Sequence, residues 1–201
     1  MRNALISAVV AVQILFLGGP AGAGSFTEVG DAGNTPAAAQ STSGTGSLDT
    51  IFGTLSPDTD TDVFKIFVAD PSSLAITFVG TNLSDDDDLI LWVLDTAGHL
   101  LFVDDDSGPG FLPQMNAGDL SGAPGFYLVA YNLVVSNPIV DVGTLVVSGW
   151  TTTPLPSQTG PVVMNLRNAG FAENTAVPEP STIMLIGAGA VALFGRARRK
   201  A

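Results

Sequence analysis

Between residues 48 and 150 short apolar runs recur at close spacing, and Gly, Pro, Asn or Asp clusters separate them. Seven read as strands: Thr50–Leu55, Val63–Val68, Leu74–Val79, Leu89–Leu94, Leu100–Val103, Gly125–Tyr131 and Thr144–Val147. Each is rich in Val, Ile, Leu, Phe or Thr, which suit a pleated, half-buried surface. In Val63–Val68 one face carries Phe64, Ile66 and Val68 and the other Lys65 and Phe67, the period of two that a strand imposes. Leu74–Val79 alternates similarly. Asp95-Thr96-Ala97-Gly98 reads as a hairpin turn between two runs, with Gly98 free to take positive φ. No internal stretch sustains a helical period. The pattern predicts an all-β fold: a single β-sandwich or jelly roll of about seven to nine short strands. A barrel fits the same pattern.

The flanks differ. Residues 24–47 are rich in Ala, Gly, Ser and Thr and read as a flexible segment leading into the strands. Residues 151–176 hold Pro154, Pro156 and Pro161 among Thr, Ser, Gln and Asn and read as a stalk. Within it, Val162-Val163-Met164-Asn165-Leu166 has the look of a further strand.

Both ends are apolar. Arg2 precedes a run from Ala4 to Leu17 that only Ser7 and Gln13 interrupt, then Gly18-Gly19-Pro20 and Ala21-Gly22-Ala23. A cation, an apolar stretch and a small-x-small site form a secretory signal peptide, here residues 1–23, with the mature chain starting near Gly24. Sec and signal peptidase are the partners this implies. Fourteen helical residues reach about 21 Å, short of a ~30 Å hydrocarbon core. At the other end, Val177-Pro178-Glu179-Pro180-Ser181 precedes an apolar run from Thr182 to Phe194 and then Arg196, Arg198, Arg199 and Lys200. Cations directly after an apolar helix hold that end in the cytoplasm. The prolines keep the residues before the helix extended, a form a protease or transpeptidase can grip. Gly187-Ala188-Gly189 imitates a dinucleotide-binding turn, but no strand precedes it and too little chain follows.

This C-terminal pattern resembles the PEP-CTERM sorting signal of Gram-negative bacteria, over residues 177–201. The resemblance implies transient insertion in the inner membrane and cleavage near Pro178-Glu179-Pro180 by an exosortase. Release or attachment at the cell surface would follow, in a system that accompanies exopolysaccharide and biofilm production.

Charge sharpens the picture. Of seven cations only Lys65 and Arg167 lie between the two ends, against 18 of the 19 acids, so the exported body carries −16. Such a body repels nucleic acid and anionic surfaces unless divalent cations bridge them. With no Cys there are no disulfides, thiolate metal sites or thiol nucleophiles, and with one His there is no multi-His metal site.

The body resembles the bacterial pre-peptidase C-terminal (PPC) type of β-sandwich. The residues that carry this are Asp60-Thr61-Asp62-Val63-Phe64-Lys65-Ile66, the hairpin from Asp88 to Asp95 and Gly98, Asp104-Asp105-Asp106, and Gly125-Phe126-Tyr127-Leu128-Val129-Ala130-Tyr131. The resemblance implies an accessory module of a secreted protein, residues 48–150, in a family of which some members bind calcium and some bind collagen or carbohydrate.

Three acidic clusters are the candidate chemistry: Asp58/Asp60/Asp62, Asp85–Asp88 and Asp104–Asp106. Crowded carboxylates repel one another, and a hard cation with oxygen ligands offsets that repulsion. The first cluster lacks the Gly and Glu of an EF-hand loop, since Val63 and Ala69 stand there. The other two begin and end strands joined by one hairpin, so antiparallel pairing brings them to one edge. Asp86, Asp87, Asp88, Asp104, Asp105 and Asp106 are therefore the candidate calcium ligands, with Asp58, Asp60 and Asp62 a second acidic group; solvated loops are the plainer alternative. No catalytic residue is assigned: His99 lies beside a turn, and no G-x-S-x-G motif is present. Trp92, Phe102, Phe111, Phe126, Tyr127, Tyr131 and Trp150 could stack sugars, although core packing accounts for most of them. The reading is an exported, non-enzymatic envelope or matrix protein, structural or adhesive beside exopolysaccharide. The alternatives are a calcium-dependent carbohydrate-binding module and an accessory domain of a secreted enzyme system.

Overall fold

The computed structural model describes residues 23–56, 60–79, 88–133, 137–141, 143–151 and 160–174. These are almost wholly strand and turn. In chain order they form β1 (Ala23–Thr27), β2 (Gln40–Ser41), β3 (Ser43–Gly44), β4 (Ser47–Leu55), β5 (Thr61–Val68), β6 (Ala75–Val79) and β7 (Leu89–Asp95). There follow β8 (Leu100–Asp104), β9 (Gln114–Met115), β10 (Gly125–Leu133), β11 (Asn137–Asp141), β12 (Val146–Thr151), β13 (Gly160–Phe171) and β14 (Glu173–Asn174). Two single-turn 3₁₀ helices, Pro36–Ala38 and Pro71–Ser73, are the helical exceptions. The all-β expectation holds. Among the described residues no helix is long and apolar enough to cross a membrane. The proposed signal peptide and the C-terminal helix lie outside the described residues.

The main sheet has the order β1-β4-β13-β5-β10-β7-β8, with β2 on β5 and β6 and β9 attached through β13. Strand β13 is the hinge of this arrangement. Val163–Arg167 pair with β6, and Ala169–Phe171 pair with β5. Between them Asn168 turns the backbone with φ 62°, a left-handed conformation that Asn tolerates better than most residues. The change of neighbour places β5 and β6 around one apolar interior.

That interior is filled from alternate positions. Phe64, Ile66 and Val68 of β5, Leu89, Leu91 and Val93 of β7, and Val162, Met164 and Leu166 of β13 all enter the main core. The remaining faces of β7 and β10 are covered too. Ile90, Trp92, Leu94, Leu128 and Ala130 join Val147 and Trp150 of β12 in a second cluster. Strands buried on both faces read as continuous apolar runs, as Leu89–Leu94 does.

Several boundaries differ from the sequence reading. The flexible leading segment contains β1, which lies parallel on β4 with Phe26 opposite Ile51. Much of the assigned stalk is β13, twelve residues paired with β4, β5 and β6. The run expected to start at Thr144 starts at Val146. Gly143–Leu145 form a turn there, capped by the Asp141 carboxylate, which accepts from the Gly143 and Thr144 amides at 2.8 and 3.1 Å. Trp150, read as lying outside any strand, belongs to β12 and is buried.

Gly53 marks the closest approach within the core. Tyr131 crosses from β10 so that a Cβ at Gly53 would collide with its hydroxyl, and would lie 3.1 Å from Asp62 Oδ2. Gly53→Ala is therefore expected to destabilise the fold by about 1–3 kcal/mol through overpacking, read as a lower urea midpoint with unchanged slope.

Candidate cation sites and the sorting tail

The hairpin β7–β8 pairs Leu91 with Asp104. Asp88, just before β7, therefore lands beside the residues just after β8. Carboxylate oxygens of Asp88, Asp105 and Asp106 gather within 4.8 Å of one another. One oxygen of Asp88 and one of Asp105 are buried without a hydrogen-bond partner. Partial burial, then the charges of Asp105 and Asp106, push Asp88 up to about 6. The hairpin thus brings these three carboxylates to one edge. Asp86 and Asp87 lie outside the described residues.

Asp104 does other work. Its carboxylate accepts from the Ser107 amide at 3.1 Å, the Ser107 hydroxyl at 2.5 Å and the Gln114 amide at 2.8 Å. Partial burial opposes ionisation of Asp104, but these donors prevail and hold its carboxyl below the usual range. It fixes the loop after β8 and is not among the carboxylates that converge with Asp88.

The second acidic group resolves differently again. Asp58 lies outside the described residues. Asp60, 4 % exposed, accepts from the Ser56 amide at 2.8 Å through Oδ2, and its Oδ1 has no partner. Burial comes first among the causes that raise its pKa, with the charges of Asp31 and Glu28 adding to it. Asp62 stands opposite Tyr131 across the β5–β10 ladder and is fully buried. Its two oxygens and the Tyr131 hydroxyl all lack hydrogen-bond partners. Its neighbours in the acidic group are Glu28 and Asp31, with carboxylate oxygens of the three within 4.8 Å of one another. Burial, then the Glu28 and Asp60 charges, push Asp62 up to about 8.

Glu28 and Asp31 are functional candidates that sequence spacing missed. The parallel β1–β4 pairing carries them to Asp62. The Glu28 amide donates to the Phe52 carbonyl at 2.8 Å, and Glu28 Oε2 accepts from the Thr54 amide at 2.7 Å. Glu28 Oε1 accepts from the Ala32 amide at 2.8 Å, and Asp31 Oδ1 from the Gly33 amide at 3.0 Å. The loop is thereby tied close to the sheet. The available signal was slight: Glu28 and Asp31 are the only charged residues in an Ala/Gly/Ser/Thr-rich stretch of over twenty.

Other residues fall into place. His99 Nδ1 lies 2.8 Å from Asp95 Oδ2 inside the hairpin turn. Asp95 also accepts from the Ala97 and His99 amides at 2.8 and 2.9 Å, so this pair shapes the turn. Among the aromatic candidates, Trp92, Tyr127, Tyr131 and Trp150 are buried and Phe102 packs against the core. Phe111 and Phe126 are exposed. Phe126 makes an edge-on pair with exposed Phe67 at 5.6 Å, and Lys65 Nζ lies 4.7 Å from its ring centre.

Residues 176–200 match the PEP-CTERM protein-sorting motif. This stretch contains Val177-Pro178-Glu179-Pro180-Ser181 and the basic residues Arg196, Arg198, Arg199 and Lys200, all outside the described residues. No curated protein matches the chain. The motif marks an exosortase-processed chain that passes through the membrane and is directed to the cell surface or beyond.

Proposed function

We propose that this chain is a non-enzymatic protein of the envelope or extracellular matrix, structural or adhesive in association with exopolysaccharide. The observation that carries the reading is the sorting motif at residues 176–200. In this reading the signal peptide and the C-terminal tail are removed, and a PPC-like β-sandwich is the part that works outside a Gram-negative cell. The acidic body favours contact with neutral polymer, or with anionic polymer through divalent cations.

A second reading, a calcium-dependent carbohydrate-binding module, draws on two observations. The Asp88, Asp105 and Asp106 carboxylates converge at one hairpin edge. Phe67 and Phe126 expose paired rings on the surface, and exposed rings can stack on sugars. Co-sedimentation of the full chain with exopolysaccharide from its host, with and without chelator, tests both. Binding that survives chelation supports the structural or adhesive reading; binding that is lost on chelation and is also lost in Asp105→Asn/Asp106→Asn supports the calcium-dependent module, whereas loss on chelation alone fits an acidic body bridged to anionic polymer by divalent cations. No binding in either condition overturns the association with polysaccharide.

A further inference from the structure

Phe67 of β5 stands directly opposite Phe126 of β10 on one side and Gly170 of β13 on the other, so it is the middle of a three-strand row. Both rings face outward, Phe67 37 % and Phe126 44 % exposed. Gly170 carries no side chain, which leaves one flank of the Phe67 ring open. The result is a groove. A hollow of about 300 Å³ lies between Phe67, Phe126, Gly170 and Asn174. A second, of about 450 Å³, continues from Phe67 and Gly170 to Asp70 and Asn168. Asp70, at that far end, is occupied by the Ser72 amide and the Ser72 and Ser73 hydroxyls. At the near end the chain is pinned: β14 lies parallel on β3, and the Glu173 amide donates to the Thr42 carbonyl at 2.8 Å. Asn174, the last described residue, therefore sits at the lip of an aromatic groove, three residues before Val177.

We propose that, before processing, the chain's own Val177-Pro178-Glu179-Pro180 docks in this groove, prolines against the Phe67 and Phe126 rings and Glu179 against Lys65, and that docking withholds the motif from the exosortase. The proposal rests on the exosortase processing that the sorting motif marks. Reach permits it. At about 3.3–3.6 Å per residue, Pro178 and Glu179 extend up to about 14 and 18 Å from Asn174, and Asn174 shares a hollow with Phe126. Side-chain chemistry favours it. Proline-rich segments dock on aromatic-lined grooves, and the fixed φ of proline limits the entropy lost on binding. Charge selects the register. Lys65 is one of two cations in a body of −16, and its Nζ lies 4.7 Å from the Phe126 ring centre. Glu179 is the one acid beyond Asn174. A motif lying in a groove is closed to an enzyme that must grip its backbone, so trimming waits on release. With about nine-tenths of the chains docked, the motif is open in one-tenth and trimming slows about tenfold.

The experiment treats the full chain, purified in detergent, with a carbodiimide that joins amines to carboxylates. The lysines are Lys65 and Lys200, so the products are few. Peptide mapping of a mixture of light and isotope-labelled protein should find Lys65 joined to Glu179 within one chain. Phe67→Ala/Phe126→Ala, at two exposed positions, should melt close to wild type and give about tenfold less of this product. In pulse-labelled host cells the same variant should lose its C-terminus up to about tenfold faster than wild type. Lys65→Glu keeps both rings and sets a like charge against Glu179, so it too should be trimmed faster; it serves where the ring variant fails to fold. Absence of the Lys65–Glu179 product from wild type overturns the docking, as does an equal yield from the ring variant. A product joining light to labelled chains puts a second copy's tail in the groove and overturns the contact within one chain. Unchanged trimming in both variants overturns the shielding. A wild type that is never trimmed in its host refutes the processing, and the shielding with it, while the cross-link still decides the docking.

Discussion

Phe64→Ala is expected to remove about 3–5 kcal/mol of stability, the usual range for emptying a core phenylalanine site. Folded domains hold only about 5–15 kcal/mol in total, so this one change can take a third of the margin or more. The reason lies in position. Phe64 is fully buried on β5. Its ring stacks on Tyr131 at 6.0 Å and meets Phe26 edge-on at 6.2 Å, and Tyr131 in turn meets Phe78 edge-on at 5.8 Å. Four rings from β1, β5, β10 and β6 thus cross the core in contact, and Phe64 is a middle member. Removing it leaves a cavity that β-sheet backbones on either side cannot collapse to fill. Urea unfolding should show a lower midpoint with unchanged slope. Phe67→Ala, three residues on and on the opposite, exposed face, should cost under about 1 kcal/mol. Equal losses at the two positions would contradict the assignment of the β5 faces.

The same strand shows what the sequence could tell. Its alternation placed Phe64, Ile66 and Val68 together, and the structure buries all three while leaving Phe67 on the surface. Period-two patterning is legible because each residue's face follows directly from its neighbour's. Strand β13 was harder. Val162, Met164 and Leu166 alternate correctly, yet Pro161, Asn165 and Asn168 gave the segment the composition of a linker. Pro161 is tolerated near the start of the strand. Asn168 is spent on the backbone turn where β13 exchanges β6 for β5. Such a turn serves long-range pairing, and local composition carries no trace of the partner.

The acidic residues divide along the same line. The meeting of Asp88 with Asp105 and Asp106 follows from one hairpin, so sequence separation and antiparallel register were enough. Asp62 with Glu28 and Asp31 requires β1 to lie parallel on β4 and β4 to face β5 across the core. Neither relation is local. Asp104 is the converse case: adjacent in sequence to a cluster, it is drawn away because its carboxylate satisfies the Ser107 and Gln114 amides. Counting acids along the chain cannot separate a ligand from a loop anchor, because the distinction depends on which backbone donors lie within reach.

Replacing Pro178-Glu179-Pro180 with Ala-Gln-Ala is expected to abolish maturation of the C-terminus. The chain should then accumulate in the membrane fraction with Arg196–Lys200 intact. The argument rests on the division of labour within residues 176–200. By sequence alone the two prolines disfavour helix across the motif, because each fixes its own φ and restricts the residue before it. The alanine-containing replacement can instead join the apolar run after Ser181, lengthening a segment of 13 residues from Thr182 to Phe194. As a helix at 1.5 Å per residue, thirteen residues would span only about 20 Å, short of a ~30 Å hydrocarbon core, so added helix-compatible residues would be expected to improve the hold of such a segment. Replacing Arg196, Arg198, Arg199 and Lys200 with serine should act in the opposite direction. Cations next to an apolar segment favour the cytoplasmic side; with them removed, a short apolar segment would have little to stop it crossing, and the uncleaved chain should leave the membrane. Terminal-peptide mass spectrometry on fractionated cells reads both results. The two variants should share an intact C-terminus and differ in where it is found. A motif variant that still loses its tail would show that the extended Pro-Glu-Pro stretch is not what the processing enzyme grips. A serine variant retained like the motif variant would show that the apolar helix alone anchors the chain.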